Sequence, residues 1–261
     1  MKPDAQTAFQ KLVDVVTLLR DPVKGCPWDK EQTHQSLKPY VVEETYEVID
    51  AIDQGPEELC KELGDLLLQV MLHSQIAKDN KTFDITDVIT SITEKMIVRH
   101  PHVFGDKKLE NTDQVLKNWE QIKQKDLKKD QSILDGVPNS MPALLRSQRI
   151  GEKAARVGFE WNTVEEVRDK VFEEMNEFLQ CVTEPGTPKE RIEDEFGDIL
   201  FSLTQLSRRL KLNSEDLLNQ SCNKFVGRFK KIEKLSEGKM KDMSLEQLDA
   251  LWNQVKAEEK K

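Results

Sequence analysis

Glu43-Glu44-Thr45-Tyr46-Glu47 and Glu62-Leu63-Gly64-Asp65 return further along the chain as Glu173-Glu174-Met175-Asn176-Glu177 and Glu195-Phe196-Gly197-Asp198. The spacing suits helices, in which residues three and four apart share a face. Glu44 then projects beside Glu47, and Glu62 beside Asp65. Working outward, two further anchors follow in the same order. Lys95-Met-Ile-Val-Arg99 is echoed by Lys224-Phe-Val-Gly-Arg228, and Trp119-Glu-Gln-Ile-Lys123 by Trp252-Asn-Gln-Val-Lys256. In both halves 54 residues separate the motif aspartate from this tryptophan. The breaks agree as well, Gly55-Pro56 matching Gly186-Thr187-Pro188. Four ordered anchors at similar gaps mark a tandem duplication of one helical domain.

The remaining pattern is helical too. Phe9, Leu12, Val13, Val16 and Leu19 recur at three- and four-residue steps and make one apolar stripe. A turn-like stretch from Asp21 to Trp28 follows. The pattern predicts a helix from about Pro39 to Gln54, stopped by Gly55-Pro56, with Pro56 at the first position of the next. That next helix carries Leu59, Leu63, Leu66, Leu67 and Val70. Another spans Ile85 to Arg99 and breaks at Pro101. Strand signals are nearly absent: there is little alternation and no Asn-Gly turn. The fold class is therefore all-α, with one repeat over residues 1–122 and a second over 143–261. The connector, 123–142, opens with a lysine-rich run (Lys123, Lys125, Lys128, Lys129) and ends in Asp135-Gly-Val-Pro-Asn-Ser-Met-Pro142.

At 261 residues the chain suffices for one large domain or two modest ones, and 37% hydrophobic against 33% charged residues suits helices with a single buried face. A net charge of −9 argues against a partner that is a nucleic-acid polymer, which calls for a basic face. It does not exclude a small anion, because bound divalent cations reverse the local field. No segment approaches membrane-spanning length, and the N-terminus lacks the apolar run of a signal peptide. The four cysteines (Cys26, Cys60, Cys181, Cys222) show no Cys-x-x-Cys spacing and read as free thiols of a reducing, cytoplasmic environment.

If the two acidic helices of each half pack antiparallel, four carboxylates converge: Glu44, Glu47, Glu62 and Asp65 in the first repeat, and Glu174, Glu177, Glu195 and Asp198 in the second. Four unpaired anions would raise one another's pKa values. A hard divalent cation, Mg²⁺ or Mn²⁺, relieves that repulsion. A lone acidic motif on a helix is more often a charged surface. Here the acids adjoin apolar runs (Leu66-Leu67-Leu68; Ile199-Leu200-Phe201) and recur with a paired second motif, which favours the metal reading. A di-iron bundle would need Glu-x-x-His pairs. These second motifs end in Asp, and His34, His73, His100 and His102 lie elsewhere.

Lys224 and Arg228, four apart, share a helical face and can clamp phosphates. Trp252 can stack on a base, or serve as an ordinary core or interface aromatic. The halves differ one turn before the ligands. Lys170 precedes Glu174 and Arg191 precedes Glu195, where the first repeat has Tyr40 and Glu58. Both halves can hold metal, but the second is the better triphosphate site.

These residues resemble the MazG family of nucleoside triphosphate pyrophosphohydrolases, in its two-repeat bacterial form, over nearly the whole chain. The most specific stretches are Gly25-Cys-Pro-Trp-Asp-Lys-Glu-Gln-Thr-His34, the paired acidic motifs, Arg99-His-Pro-His-Val-Phe104 and Val157-Gly-Phe-Glu-Trp161. The resemblance implies an all-α, four-helix-bundle fold that assembles as a homodimer. It implies Mg²⁺-dependent hydrolysis of NTPs and dNTPs to monophosphate and pyrophosphate, with activity credited to the second repeat. Carried over, Glu174, Glu177, Glu195 and Asp198 ligate the metal, while Lys170, Glu173, Arg191, Asp194, Lys224, Arg228 and Trp252 surround the nucleotide, Asp198 among them. Glu173 is a candidate general base beside Glu174, with Lys224 and Arg228 holding the leaving pyrophosphate. The second repeat departs from the first after Arg228, continuing as Phe229-Lys-Lys-Ile232 in place of the His-Pro-His segment. The alternatives are a narrow dUTPase-like or damaged-nucleotide hydrolase and a non-catalytic nucleotide-binding adaptor.

Overall fold

The structure, a computed structural model, describes residues 3–125 and 131–259, so Lys128 and Lys129 of the lysine run lie outside the described residues. All regular elements among the described residues are helical, as the all-α reading requires. The chain forms two compact units, Met1–Lys123 and Gln124–Lys261.

The first unit begins with α1 (Ala5–Leu19), whose first turn is capped by Asp4, its side chain accepting from the Thr7 backbone N–H at 2.9 Å. After α2 (Pro27–Glu31) come α3 (Lys38–Gln54) and α4 (Pro56–Asp79). One residue joins them. Gly55 sits at φ +119°, a conformation that favours glycine, and Pro56 starts α4 where its missing N–H costs nothing. A link this short turns the chain back on itself, and α3 lies packed against α4. The α1 stripe covers the far part of α4: Val16 is buried with Leu37, Met71, Leu72 and Ile76, and Phe9, Leu12 and Val13 pack around them. Each such side chain stabilises the unit by about 1.5–3 kcal/mol. The unit continues with α5 (Ile85–Arg99), α6 (Pro101–Phe104) and α7 (Thr112–Lys125).

The Gly25–His34 stretch is held down by polar contacts. Arg20 pairs with Asp79 of α4 at 2.8 Å and donates to the backbone carbonyls of Asp29 and Gln32. Nδ1 of His34 lies 2.8 Å from Nδ1 of His73 on α4. These bonds tie the segment before α3 to the helix that α3 packs against, which fixes where α3 begins.

The second unit is built on the same plan. A 3₁₀ turn at Ile133–Gly136 leads to α8 (Ala143–Arg156), then α9 (Val164–Thr183), α10 (Lys189–Arg209), α11 (Ser214–Leu235) and α12 (Leu245–Glu258). Here α9 packs on α10 as α3 does on α4, and α8 takes the place of α1 against α10. The α8–α10 contact is close and polar. Gln205, 1% exposed, donates to the Ser147 carbonyl at 3.0 Å, and a Cβ at Gly151 would sit 1.8 Å from its Oε1. The Val157–Trp161 segment is anchored by Glu160, which accepts from Arg208 at 2.6 and 2.8 Å. Burial pushes the Glu160 carboxyl up, but the hydrogen bonds and charge of Arg208 outweigh it and hold the group below the usual range.

Two outcomes follow for the second unit. Gly151→Ala wedges α8 from α10 and is expected to cost about 1–3 kcal/mol; an unchanged urea midpoint would contradict the packing described. Glu160→Gln is expected to cost about 1–3 kcal/mol at pH 7. Because the folded pKa of Glu160 is depressed, its contribution is present above the unfolded value of about 4.3 and is lost as pH falls through the folded one. Urea unfolding at pH 7 and in acid should show the gap between wild type and variant closing as pH drops.

Candidate metal centre

Each acidic site forms where two helices of a hairpin meet. In the second unit Glu173, Glu174 and Glu177 ride on α9, and Asp194, Glu195 and Asp198 on α10. Glu174, Glu195 and Asp198 each bring a carboxylate oxygen within 4.8 Å of the other two. Glu174 is the most enclosed of the set, at 6% exposure. Glu177 stands outside this trio but feels it. Burial raises its pKa, followed by the charges of Glu174 and Glu195. Asp198 is likewise pushed up, by burial first and then by Glu174, Asp194 and Glu195.

Lys170 offsets part of this repulsion. Its Nζ lies 2.7 Å from both Glu173 Oε1 and Glu174 Oε1, which raises the lysine's own pKa. Arg191 Nε is 3.8 Å from Glu195 Oε1, and the buried Cys181 thiol donates to the same oxygen at 3.9 Å. The i,i+4 spacing that set Lys170 and Arg191 beside the acids thus does so here.

The first unit gathers a different corner of the same quartet: Glu44, Glu47 and Glu62 are the three within 4.8 Å. Burial raises the Glu44 pKa, with Asp65 and Glu47 adding to it, while Gln69 donates to its Oε1 at 3.4 Å. Glu62 is raised by burial and then by Glu47, Asp65 and Glu58, against which Lys61 acts weakly. Where Lys170 and Arg191 stand in the second unit, this one offers Tyr40 and the acid Glu58.

The remaining sequence candidates lie on α11 and α12. Lys224 is exposed on α11. Arg228 places its guanidinium carbon 5.6 Å from the Trp252 ring centroid and pairs through Nε with Glu259 Oε2 at 2.8 Å. Trp252 also packs on Phe225, with ring centroids 5.1 Å apart. Its counterpart Trp119 has Arg99 at the same 5.6 Å, and the His100 ring meets it edge-on at 4.8 Å. The charges acting on Glu177 and Asp198 come from α9 and α10, Lys170 being the cation among them. Sequence reasoning missed Glu259. The available signal was an acid seven residues past the repeated tryptophan, Asp126 after Trp119 and Glu259 after Trp252; Asp126 lies outside the described residues.

An all-carboxylate donor set fits a hard divalent cation, which takes oxygen ligands and offsets the repulsion among them. Fold and site together define a class: duplicated all-α proteins in which each repeat gathers carboxylates, in a group that could hold a metal ion, between two antiparallel helices. Similarity identifies the family. The MazG nucleotide pyrophosphohydrolase domain matches the chain twice, over residues 32–104 and 162–233. A nucleoside triphosphate pyrophosphohydrolase of Escherichia coli K12 is 42% identical over 257 residues, covering 96% of this chain and 98% of that protein. The nucleoside triphosphate pyrophosphohydrolase/pyrophosphatase MazG of Thermotoga maritima is 44% identical over 258 residues, 97% of both chains. Bacillus subtilis YabN, which carries no assigned activity, is 46% identical over 97% of this chain and 52% of its own length. The chain belongs to the MazG family and is a nucleotide pyrophosphohydrolase.

The raised Asp198 pKa makes a sign-specific prediction. A carboxyl whose folded pKa is raised destabilises the fold above that value, and the penalty is relieved as pH falls. Without divalent cation, Asp198→Asn should therefore unfold at a higher temperature than wild type at pH 7, with the gain fading in mild acid. Excess Mg²⁺ should reverse the order by stabilising wild type alone. Thermal unfolding with and without Mg²⁺ checks this; a variant that still gains stability from Mg²⁺ would speak against Asp198 as a ligand.

Proposed function

We propose that the second repeat hydrolyses nucleoside and deoxynucleoside triphosphates to the monophosphate and pyrophosphate, using Mg²⁺, for which Mn²⁺ can substitute. The observation that carries this reading is the Glu174–Glu195–Asp198 cluster with Lys170 bonded to Glu174 at its edge. Its support from likeness is near full-length similarity to proteins named for that activity. Glu174, Glu177, Glu195 and Asp198 are the residues that would hold the cation. Once bound, it supplies charge neutralisation and Lewis acidity at the phosphate oxygens.

The chain's own groups do the rest. Lys170, which bonds Glu173 and Glu174 at the edge of the cluster, would offer its ammonium to a phosphate oxygen. Glu173 would accept a proton from the attacking water. The water oxygen bonds to the α-phosphorus, the bridging bond toward the β-phosphate breaks, and pyrophosphate departs with its negative charge matched by Arg191, Lys224 and Arg228. Asp194 and Trp252 complete the surroundings of the nucleotide. The first repeat, with Tyr40 and Glu58 in place of the cations, holds metal through Glu44, Glu47, Glu62 and Asp65 but turns over little.

The same reading includes a homodimer. Val42, Ile49, Leu63, Leu67 and Val70 are exposed on α3 and α4, and Phe172, Leu179, Phe196, Leu200 and Leu203 on α9 and α10. A two-helix hairpin with so much hydrocarbon uncovered becomes a four-helix bundle by pairing with a second copy. A partner that is a nucleic-acid polymer fits poorly with a charge of −9. The four cysteines are free thiols, in keeping with a cytoplasmic setting, and no helix among the described residues is long and apolar enough to cross a membrane.

Product analysis tests the reaction. With ATP in H₂¹⁸O and Mg²⁺, the label is expected in AMP, with one pyrophosphate released per turnover. Label in inorganic phosphate, with ADP as product, would refute α-phosphorus attack. A panel of NTPs and dNTPs should give comparable turnover. Cleavage of one base alone would point to a narrow dUTPase-like enzyme, and binding without release to an adaptor.

A further inference from the structure

We propose that Glu259 is a positioning residue for the phosphate-binding arginine of the second repeat: it fixes Arg228 over Trp252 through the Nε edge and leaves the terminal nitrogens for the nucleotide's phosphates. The inference rests on the reading of Arg228 as a phosphate-binding group. Glu259 stands one residue past the end of α12, where the helix dipole disfavours an anion. An acid there is compensated by partners, and it has two. Its Oε2 meets Arg228 Nε at 2.8 Å and its Oε1 meets Lys231 Nζ at 3.1 Å. These contacts hold the Glu259 carboxyl below its usual range.

Trp252 and Glu259 are seven residues apart, two turns along one stripe of α12, so a single helix delivers both the ring beneath the guanidinium and the anion at its edge. The guanidinium is a rigid fork of five donors. The carboxylate engages it through Nε, and the ring lies under its face. What remains is the terminal pair of nitrogens, the end that matches two phosphate oxygens. A long side chain already fixed in this way loses less freedom when a phosphate arrives. The first half keeps an arginine, a tryptophan and an acid in the same order, Arg99, Trp119 and Asp126, so the pattern recurs in the sequence.

The test uses the full chain with ATP and Mg²⁺. Glu259→Gln is expected to raise KM about fivefold or more with kcat within about twofold, and Glu259→Asp, which keeps the charge, to fall nearer wild type. In an Arg228→Ala background the Gln substitution should add nothing, because the two residues act as one unit. A merely structural role for Glu259 would instead add its full effect in both backgrounds. An unchanged or lowered KM for Glu259→Gln, with Arg228→Ala impaired, overturns the positioning role and leaves the reading of Arg228 standing. Indifference of both KM and kcat to Arg228→Ala overturns both. If the Gln variant fails to fold, Glu259→Ala takes its place in the same comparison: a raised KM that vanishes in the Arg228→Ala background supports the inference, and additivity with Arg228→Ala overturns it.

Discussion

Everything at the second-repeat site depends on like charges being forced together. The packing of α9 on α10 brings Glu174, Glu195 and Asp198 to one corner; loss of hydration there, with the neighbouring negative charges adding to it, pushes the carboxyls of Glu177 and Asp198 up. A fold that keeps such an arrangement without a cation carries a standing cost. A hard divalent cation held there would remove the repulsion that packing imposes. Lys170 occupies the gap as an internal counter-charge.

The two repeats show how little has to change for one scaffold to hold two unequal sites. Both have the hairpin, the quartet and the Arg–Trp pair. They differ in the residues one turn before the ligands, and the difference reaches the electrostatics. Glu58 adds to the repulsion on Glu62, whereas Arg191 faces Glu195. They differ too around the tryptophan. His100 stands edge-on to Trp119, while Phe225 shares the corner with Trp252. The first unit has neutral and acidic groups where the second has cations, around an otherwise similar frame.

Much of this was legible in the sequence because the deciding signals were local. Gly55-Pro56 sets a helix boundary within one residue by backbone geometry alone, and α3 and α5 run where periodicity placed them, Lys38–Gln54 and Ile85–Arg99. Lys170 beside Glu174 is an i,i+4 pair, fixed by helical rise. What could not be read was set by tertiary contact. Which three of four carboxylates come closest depends on side-chain rotamers and on the crossing of two helices, so the first unit chose Glu47 and the second Asp198. The stacked pair of His34 and His73 joins residues 39 apart in sequence, and Arg228 meets Glu259 across 31. No periodicity announces such contacts.

The central claim is that the second acidic corner is the catalytic one, and inactivating each repeat separately tests it most directly. Pyrophosphate release from ATP with Mg²⁺ is measured for Glu44→Gln/Asp65→Asn and for Glu174→Gln/Asp198→Asn. The account predicts that the second-repeat variant loses about 100-fold or more while the first-repeat variant retains most of its activity. Near wild-type release by the Glu174→Gln/Asp198→Asn variant, or loss confined to the first-repeat variant, would contradict it.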